Sequence, residues 1–254
     1  MPDLLHDKSV PLIVAVAGMH RSGTSMFAGF VHRAGISMGE RLHVDRVTNP
    51  YGHYEDLDFL DLQRAEIARA FDGEDFLVAE EFTPSQAFLD DARRLVERNQ
   101  RLHEGRPWGW KDPRTTLFLR QWKELLPELR VVALVRSPHS VLNSLCRRLR
   151  AYFSVKQKNH LLRTYTHYNR CLDAFRDLHP ESTHLLSLEQ LLANPEEKLA
   201  LLGEALGHPL DPEAFRSMFD SRVMERSRRA SVLLHRASIR EARAIHEKLL
   251  GRCL

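Results

Sequence analysis

Cysteine is scarce. The three residues Cys146, Cys171 and Cys253 are odd in number, widely spaced and form no C-x-x-C pair. That argues against a disulfide framework or a zinc site and fits a reducing compartment. No apolar run is long enough to cross a bilayer as a helix. The first residues, MPDLLHDKSVPLIVAVAG, contain acids and one short apolar run, so the flank of a signal peptide is missing too. A cytoplasmic chain without a transmembrane segment is expected. There is no internal repeat, no low-complexity tract and no clear linker. The formal net charge is only +3. Arginines gather at Arg147, Arg148 and Arg150, and again at Arg226, Arg228 and Arg229. Such clusters are first of all solvated faces, and no stretch is basic enough to imply nucleic acid. A chain of 254 residues, 43% of them apolar, can bury a real core. Its length suits one α/β domain over residues 1–254, with a core at about 11–210 and a helical, basic segment at 211–254.

PLIVAVAG is a continuous apolar run between Pro11 and Gly18, the pattern of a strand buried on both faces. TSMFAGFVHRAG follows as a helix closed by Gly35. Residues 36 to 56 read as irregular, with turns at Asn49-Pro50 and Gly52. DFLDLQRAEIARAF and SQAFLDDARRLVERNQRLH are amphipathic helices joined by a polar surface loop. RPWGWKDPRTTLFLRQW holds a short aromatic strand, a loop and a helix starting near Thr115. RVVALV and THLLSL are further strands, and SPHSVLNSLCRRLR is a helix with Val141, Leu142, Leu145, Cys146 and Leu149 on its apolar face. Leu161, Tyr165, Tyr168, Leu172 and Phe175 form the core stripe of the next helix. NPEEKLALLGEALG is a helix with Asn194 as N-cap, Pro195 at its first position and Gly207 at its end. A last helix runs from about Ala237 to Leu250. Strands alternating with helices predict an α/β fold, a P-loop-like parallel sheet with helices on both faces and a helical C-terminal tail.

Gly18 to Gly23 has the G-x-x-x-x-G spacing of a phosphate loop, yet the lysine that a P-loop kinase carries next is missing. Thr24 stands there, Ser25 follows, and the cation lies earlier, at Arg21. The N–H groups at the start of the following helix favour an anion, Gly23 lets backbone approach it, and Ser22, Thr24 and Ser25 add hydroxyls. The plain structural alternative is a Gly-rich turn with Thr24 or Ser22 capping the helix. No paired carboxylates stand at a spacing that would hold magnesium beside the loop.

RSGTS, residues 21–25, resembles the 5′-phosphosulfate loop of the sulfotransferases that use PAPS (3′-phosphoadenosine 5′-phosphosulfate). VALVRSPHSVLNSLCRR resembles the 3′-phosphate motif of the same family, an arginine at a strand end and a serine eight residues later, here Arg136 and Ser144. WKDPR resembles the strand-end Lys-Asp-Pro of tyrosylprotein sulfotransferases, which gives Lys111 the role of reaching the sulfuryl group and the bridging oxygen. LLSLEQLLANPEEKLALLGEALGHPL is similar to the late strand–helix segment, although Ser187 and Leu188 stand where the family usually begins with a tyrosine. The resemblance covers most of residues 11–210. It implies an enzyme that moves the sulfuryl group from PAPS to a hydroxyl and leaves PAP (adenosine 3′,5′-bisphosphate), with Arg21 and Lys111 as cations and no metal. A P-loop nucleotide kinase and a non-catalytic PAP-binding module of the same fold are the competing readings.

The resemblance also implies a glutamate base after the first helix, and Glu55 in NPYGHYEDLD is the first carboxylate after the turn-rich segment. His53, Asp112 and Glu40 compete for the role, and Glu55 as a plain helix-start carboxylate is the structural alternative. Glu55→Gln is expected to lower turnover with PAP affinity and stability nearly unchanged. Arg228 and Arg229, in ERSRRAS, are expected to close over the 3′-phosphate, although the tail departs from the family's form. GHYEDLDFLDLQ resembles bacterial members assumed to act on glycans. A carbohydrate hydroxyl is thus the first expectation for the acceptor and a phenolic or other small metabolite the second. Trp108, Trp110 and Trp122 are candidates to stack on a sugar or, equally, core residues.

Overall fold

The structure, a computed structural model, describes residues 11–43, 52–148, 154–218 and 236–254. The chain runs through β1 (Ile13–Ala17), α1 (Thr24–Arg33), β2 (Leu42–His43), β3 (Glu55–Asp56), α2 (Leu57–Ala70), α3 (Gln86–His103) and β4 (Trp108–Lys111). A 3-10 turn (Pro113–Leu117) leads to α4 (Leu119–Leu125), β5 (Arg130–Val135), α5 (Pro138–Arg148) and α6 (Val155–Leu178). A second 3-10 turn (Pro180–Ser182), β6 (Thr183–Ser187), α7 (Leu188–Ala193), α8 (Pro195–Leu206), α9 (Pro212–Met218) and α10 (Arg236–Leu250) complete the described elements.

Four strands form one parallel sheet in the order β4-β1-β5-β6. Alternation along each strand divides the core in two. Ile13, Ala15 and Ala17 of β1, with Val131, Ala133 and Val135 of β5, face the helices α3, α4, α5, α6 and α10. Val14, Val16, Val132 and Leu134 face α1, α8 and α9. A strand covered on both sides must be apolar at every position, which is why PLIVAVAG and RVVALV read as unbroken runs. The strands point their C-terminal ends at one edge, where the loops after β1, β4 and β5 meet.

Several local expectations change. Residues 36–56 are not wholly irregular, because β2 and β3 pair antiparallel with His43 opposite Glu55. The chain enters a 3-10 turn at Pro113, and regular helix begins only at Leu119. Asp112 causes this by capping the turn, its side chain accepting from the Arg114 N–H at 2.9 Å. Asn194 sits at the N-cap position of α8, but its side chain makes no capping bond and donates to Glu197 instead. The loop between α2 and α3 is not merely polar surface. Val78 is buried, and the Phe76 carbonyl accepts from the Tyr168 hydroxyl at 3.1 Å. The three tryptophans are fully buried, with Trp110 stacked on Phe59 at 4.4 Å, so they are core residues and no sugar platform. No helix among the described residues is long and apolar enough to cross a membrane.

Candidate active site

The loop from Gly18 to Gly23 turns the chain from the end of β1 into α1. Gly18 has φ +121°, and a Cβ there would overlap the Leu134 carbonyl oxygen of the neighbouring strand. Its N–H donates to Thr116 Oγ1 at 2.9 Å, tying the loop to the turn after β4. Arg21 also lies in the left-handed region, at φ 70°. No side chain caps α1, so its opening N–H groups keep their partial positive charge. Thr24 and Ser22 therefore do not act as caps. The Ser22 hydroxyl is buried and has no hydrogen-bond partner among the described residues.

The motif after β5 stands across from this loop and touches it. Arg21 Nε donates to Ser144 Oγ at 3.0 Å, and Arg136 NH1 donates to the Arg21 carbonyl at 2.8 Å. Ser144 is buried, so the apolar face of α5 is broader than its hydrophobic residues suggest. The Tyr165 hydroxyl donates to the Arg136 carbonyl at 2.8 Å, which fixes the strand end from α6. Burial pulls the Arg136 guanidinium below its ordinary pKa; Glu189 opposes this and Arg147 adds to it. Arg147 therefore belongs to the electrostatics of this corner. Its position three residues after Ser144, one helical turn along α5, was the signal that could have singled it out from its basic cluster.

Lys111 ends β4 and reaches the loop from the other side. Its Nζ donates to Ser25 Oγ at 2.9 Å, to Glu55 Oε1 at 2.7 Å and to the His53 carbonyl at 3.2 Å. Lys111 is 2% exposed and Glu55 8%. Burial alone would raise the Glu55 pKa. The charge and hydrogen bond of Lys111, with Arg114 and His53 behind them, outweigh it and hold the carboxyl below the ordinary glutamate value. Glu55 is thus ionised in the neutral range. It is also not the first carboxylate of α2, because Asp56 caps that helix through the Asp58 N–H at 2.9 Å.

The competing carboxylates are engaged elsewhere. Asp112 is fully buried and accepts from Gln63, from the Arg114 backbone and from the Arg114 guanidinium. Burial raises its pKa, against Arg114. Glu40 turns toward His103, 3.8 Å away. His53 stays beside the site, with Nδ1 3.8 Å from Glu55 Oε2. A cleft of about 240 Å³ opens between the loop and this group, bounded by His20, Arg21, His43, His53, Glu55 and Phe76. Arg21, Ser22, Gly23, Thr24, Ser25, Lys111, Glu55, Arg136 and Ser144 are thereby gathered at one edge of the sheet. Arg228 and Arg229 lie outside the described residues.

A profile described as the sulfotransferase family matches residues 11–212. No curated protein matches the chain. Among solved structures it is similar to the sulfotransferase domain of the Synechococcus PCC 7002 olefin synthase, with 19% identity, a TM-score of 0.59 and 96% of each chain covered. The sulfotransferase domain from the curacin biosynthetic pathway gives 17% identity and a TM-score of 0.61, covering 95% of this chain and 98% of that one. A sulfotransferase from Alicyclobacillus acidocaldarius gives 14% and 0.51, with coverage of 96% and 94%.

Proposed function

The chain belongs to the sulfotransferase family, and from that premise we propose that it transfers the sulfuryl group of PAPS to a hydroxyl of a carbohydrate or another small metabolite. The observation that carries this reading is the joint between Arg21 and Ser144, which places the loop after β1 and the motif after β5 within 3.0 Å of each other beside Lys111. The residues fit an anionic nucleotide. An uncapped helix start, a buried Ser22 hydroxyl lacking a partner among the described residues and a backbone turn shaped by glycine form an anion cradle. Arg21, Ser22, Gly23, Thr24 and Ser25 would hold the 5′ end, and Arg136, Ser144 and Arg147 the 3′-phosphate. Arg228 and Arg229 remain proposed partners of that phosphate.

PAPS supplies an activated S–O bond. By analogy with phosphoryl transfer, the transition state is loose and negative charge gathers on the bridging oxygen as that bond breaks. Lys111, bonded to Ser25 of the loop, would stabilise that charge, assisted by the N–H groups of residues 22 to 25. Glu55, ionised and facing the cleft, takes the acceptor proton as the new S–O bond forms. Its contact with Lys111 is through Oε1; that contact loosens as Lys111 turns to the bridging oxygen, while Oε2 is open to the acceptor proton, so the ion pair is the resting arrangement. The products are a sulfate ester and PAP, and Glu55 then returns its proton to water. The cleft volume accommodates a ring-sized acceptor unit, consistent with one sugar residue or one small ring. A kinase is not favoured: Thr24 stands in the lysine position, and β5 ends in Arg136 instead of a metal-binding carboxylate.

The test is calorimetric binding of PAP and of ATP–Mg, followed by transfer from labelled PAPS to a panel of sugar, phenol and alcohol acceptors. Tight PAP binding without metal and label on an acceptor are expected. Preference for ATP–Mg would overturn the reading, and PAP binding with no transfer to any acceptor would favour a non-catalytic module.

A further inference from the structure

Beside the cleft, the β2–β3 pair brings two histidines that the transfer reaction does not require against Glu55. Register puts His43 directly opposite Glu55, and the His53 N–H donates to the His43 carbonyl at 3.3 Å. Tyr54, at φ 51°, turns the backbone so that His53 and Glu55 converge. His43 Nδ1 and His53 Nδ1 each lie 3.8 Å from the same oxygen, Glu55 Oε2. Lys111 holds only the other oxygen, Oε1. One donor atom from each of the three residues lies within 4.8 Å of the others. His43 Nδ1 is buried and has no hydrogen-bond partner among the described residues, although the side chain as a whole is 39% exposed.

We propose that His43, His53 and Glu55 form a binding site for a divalent transition ion, Zn²⁺ foremost, which shuts the enzyme off by occupying Glu55. Two imidazole nitrogens and one carboxylate oxygen are the donor set of many three-ligand zinc sites with an open fourth position. Nitrogen donors select Zn²⁺, Co²⁺, Ni²⁺ or Cu²⁺ over Mg²⁺ and Ca²⁺, which take oxygen. The scarcity of cysteine, which counts against a thiolate zinc site, does not bear on this one, because no thiolate is needed. Tetrahedral bonds of about 2.0–2.1 Å place donors roughly 3.3 Å apart, so the two 3.8 Å nitrogen–oxygen spacings must close by about half an ångström, and the two nitrogens, within 4.8 Å of each other, by up to about 1.5 Å. The two imidazoles are stacked at 4.5 Å and 11°, which does not aim both lone pairs at one point. Rotation of the half-exposed His43 ring supplies the adjustment. The Glu55–Lys111 contact then serves as the outer support that orients a ligating carboxylate. Occupancy of Oε2 by the ion removes the electron pair that would accept the acceptor proton. That consequence rests on the role proposed above for Glu55; the site itself does not.

The experiment uses the full chain stripped with a chelator. Co²⁺ is titrated while its visible d–d absorption is recorded, and Zn²⁺ binding is measured by calorimetry. One ion per chain is expected, with no competition from excess Mg²⁺. His43→Ala should weaken binding by more than ~10-fold, since even outer-shell losses cost that much. His160→Ala, on an exposed face of α6, should leave it unchanged. His43 is exposed enough for its variant to fold, and thermal unfolding checks this. Zn²⁺ should also inhibit turnover of the unaltered protein, reversibly by chelator, and inhibit the His43 variant less. Absence of saturable Co²⁺ and Zn²⁺ binding, or equal affinity in the His43 and unaltered proteins, would overturn the site. PAP is titrated into the same metal-free sample. Loss of PAP binding with Co²⁺ binding intact would overturn the functional reading alone, and the reverse would overturn the metal site alone.

Discussion

Lys111 and Glu55 lie 56 residues apart in sequence and form a buried ion pair. This changes what substitution of Glu55 should do. As a general base its loss should lower kcat by ~10²–10⁴-fold. Glu55→Gln also leaves the Lys111 charge buried without its counter-charge, so the expectation of unchanged stability does not survive. Breaking such a pair costs on the order of 3 kcal/mol. The folded pKa of Glu55 lies below its unfolded value, so its stabilisation is complete above the ordinary glutamate range and is lost as pH falls through the lowered folded value. Thermal unfolding should therefore show the widest gap between the unaltered protein and Glu55→Gln near neutrality, closing in acid; a gap that stayed constant into strong acid would remove Glu55 from the pair. Arg136 gives a second residue-scale prediction. Because its guanidinium also braces the Arg21 carbonyl, Arg136→Ala should weaken both PAP and adenosine 5′-monophosphate. PAP should lose ~1.5–3 kcal/mol more, since it alone carries the 3′-phosphate. Equal losses by calorimetry would reassign Arg136 to bracing the loop only.

At the level of elements, the buried strands and amphipathic helices were legible because burial on both faces or on one face leaves a period in the residues themselves. The strand of RVVALV and the core stripe from Leu161 to Phe175 stand where the pattern puts them. The short β2–β3 pair was not legible, because two-residue strands carry no period and the paired positions lie about twelve residues apart in sequence. The cross-fold bonds of the loop between α2 and α3 were not legible for a related reason. Its polar residues are polar because they bind across the fold: Asp75 accepts from the buried Arg114 guanidinium, and Ser85 donates to Glu66. Glycine in the aromatic strand has an equally nonlocal cause. Gly109 pairs with Val14 so closely that a Cβ would overlap the Val14 carbonyl oxygen. Gly109→Ala must push β4 away from β1, against backbone that cannot yield. Destabilisation of at least ~1–3 kcal/mol is expected, as for overpacking in a dense core. Since β4 ends in Lys111, PAP affinity should fall as well. Denaturant titration showing an unchanged midpoint would mean that the two strands are free to separate.

Across the whole molecule, the candidate site is a joint product of distant segments, and its members were readable one by one while their meeting was not. No sequence pattern announces that Arg21 donates to Ser144, 123 residues away, or that Lys111 reaches Ser25. The tail shows how much this matters for experiments. Removing residues 222–254 is the simplest way to ask whether Arg228 and Arg229 meet the 3′-phosphate. Yet α10 is part of the fold: Ala242, Ile245 and Leu249 are buried, Lys248 and Arg252 pair with Asp173 on α6, and the Leu254 N–H donates to the Leu185 carbonyl of β6 at 3.0 Å. Burying two large aliphatic side chains contributes roughly 1.5–3 kcal/mol each. Against a total stability of about 5–15 kcal/mol, losing them and the ion pairs together is a large fraction. A chain ending at residue 221 should therefore unfold at markedly lower temperature, and any loss of PAP affinity in it would be uninformative. The double substitution Arg228→Ala with Arg229→Ala separates the two effects. If these arginines meet the 3′-phosphate, PAP affinity falls while thermal unfolding without nucleotide stays unchanged, and adenosine 5′-monophosphate binds as before. An unaltered PAP titration in that variant would return both residues to a solvated basic face.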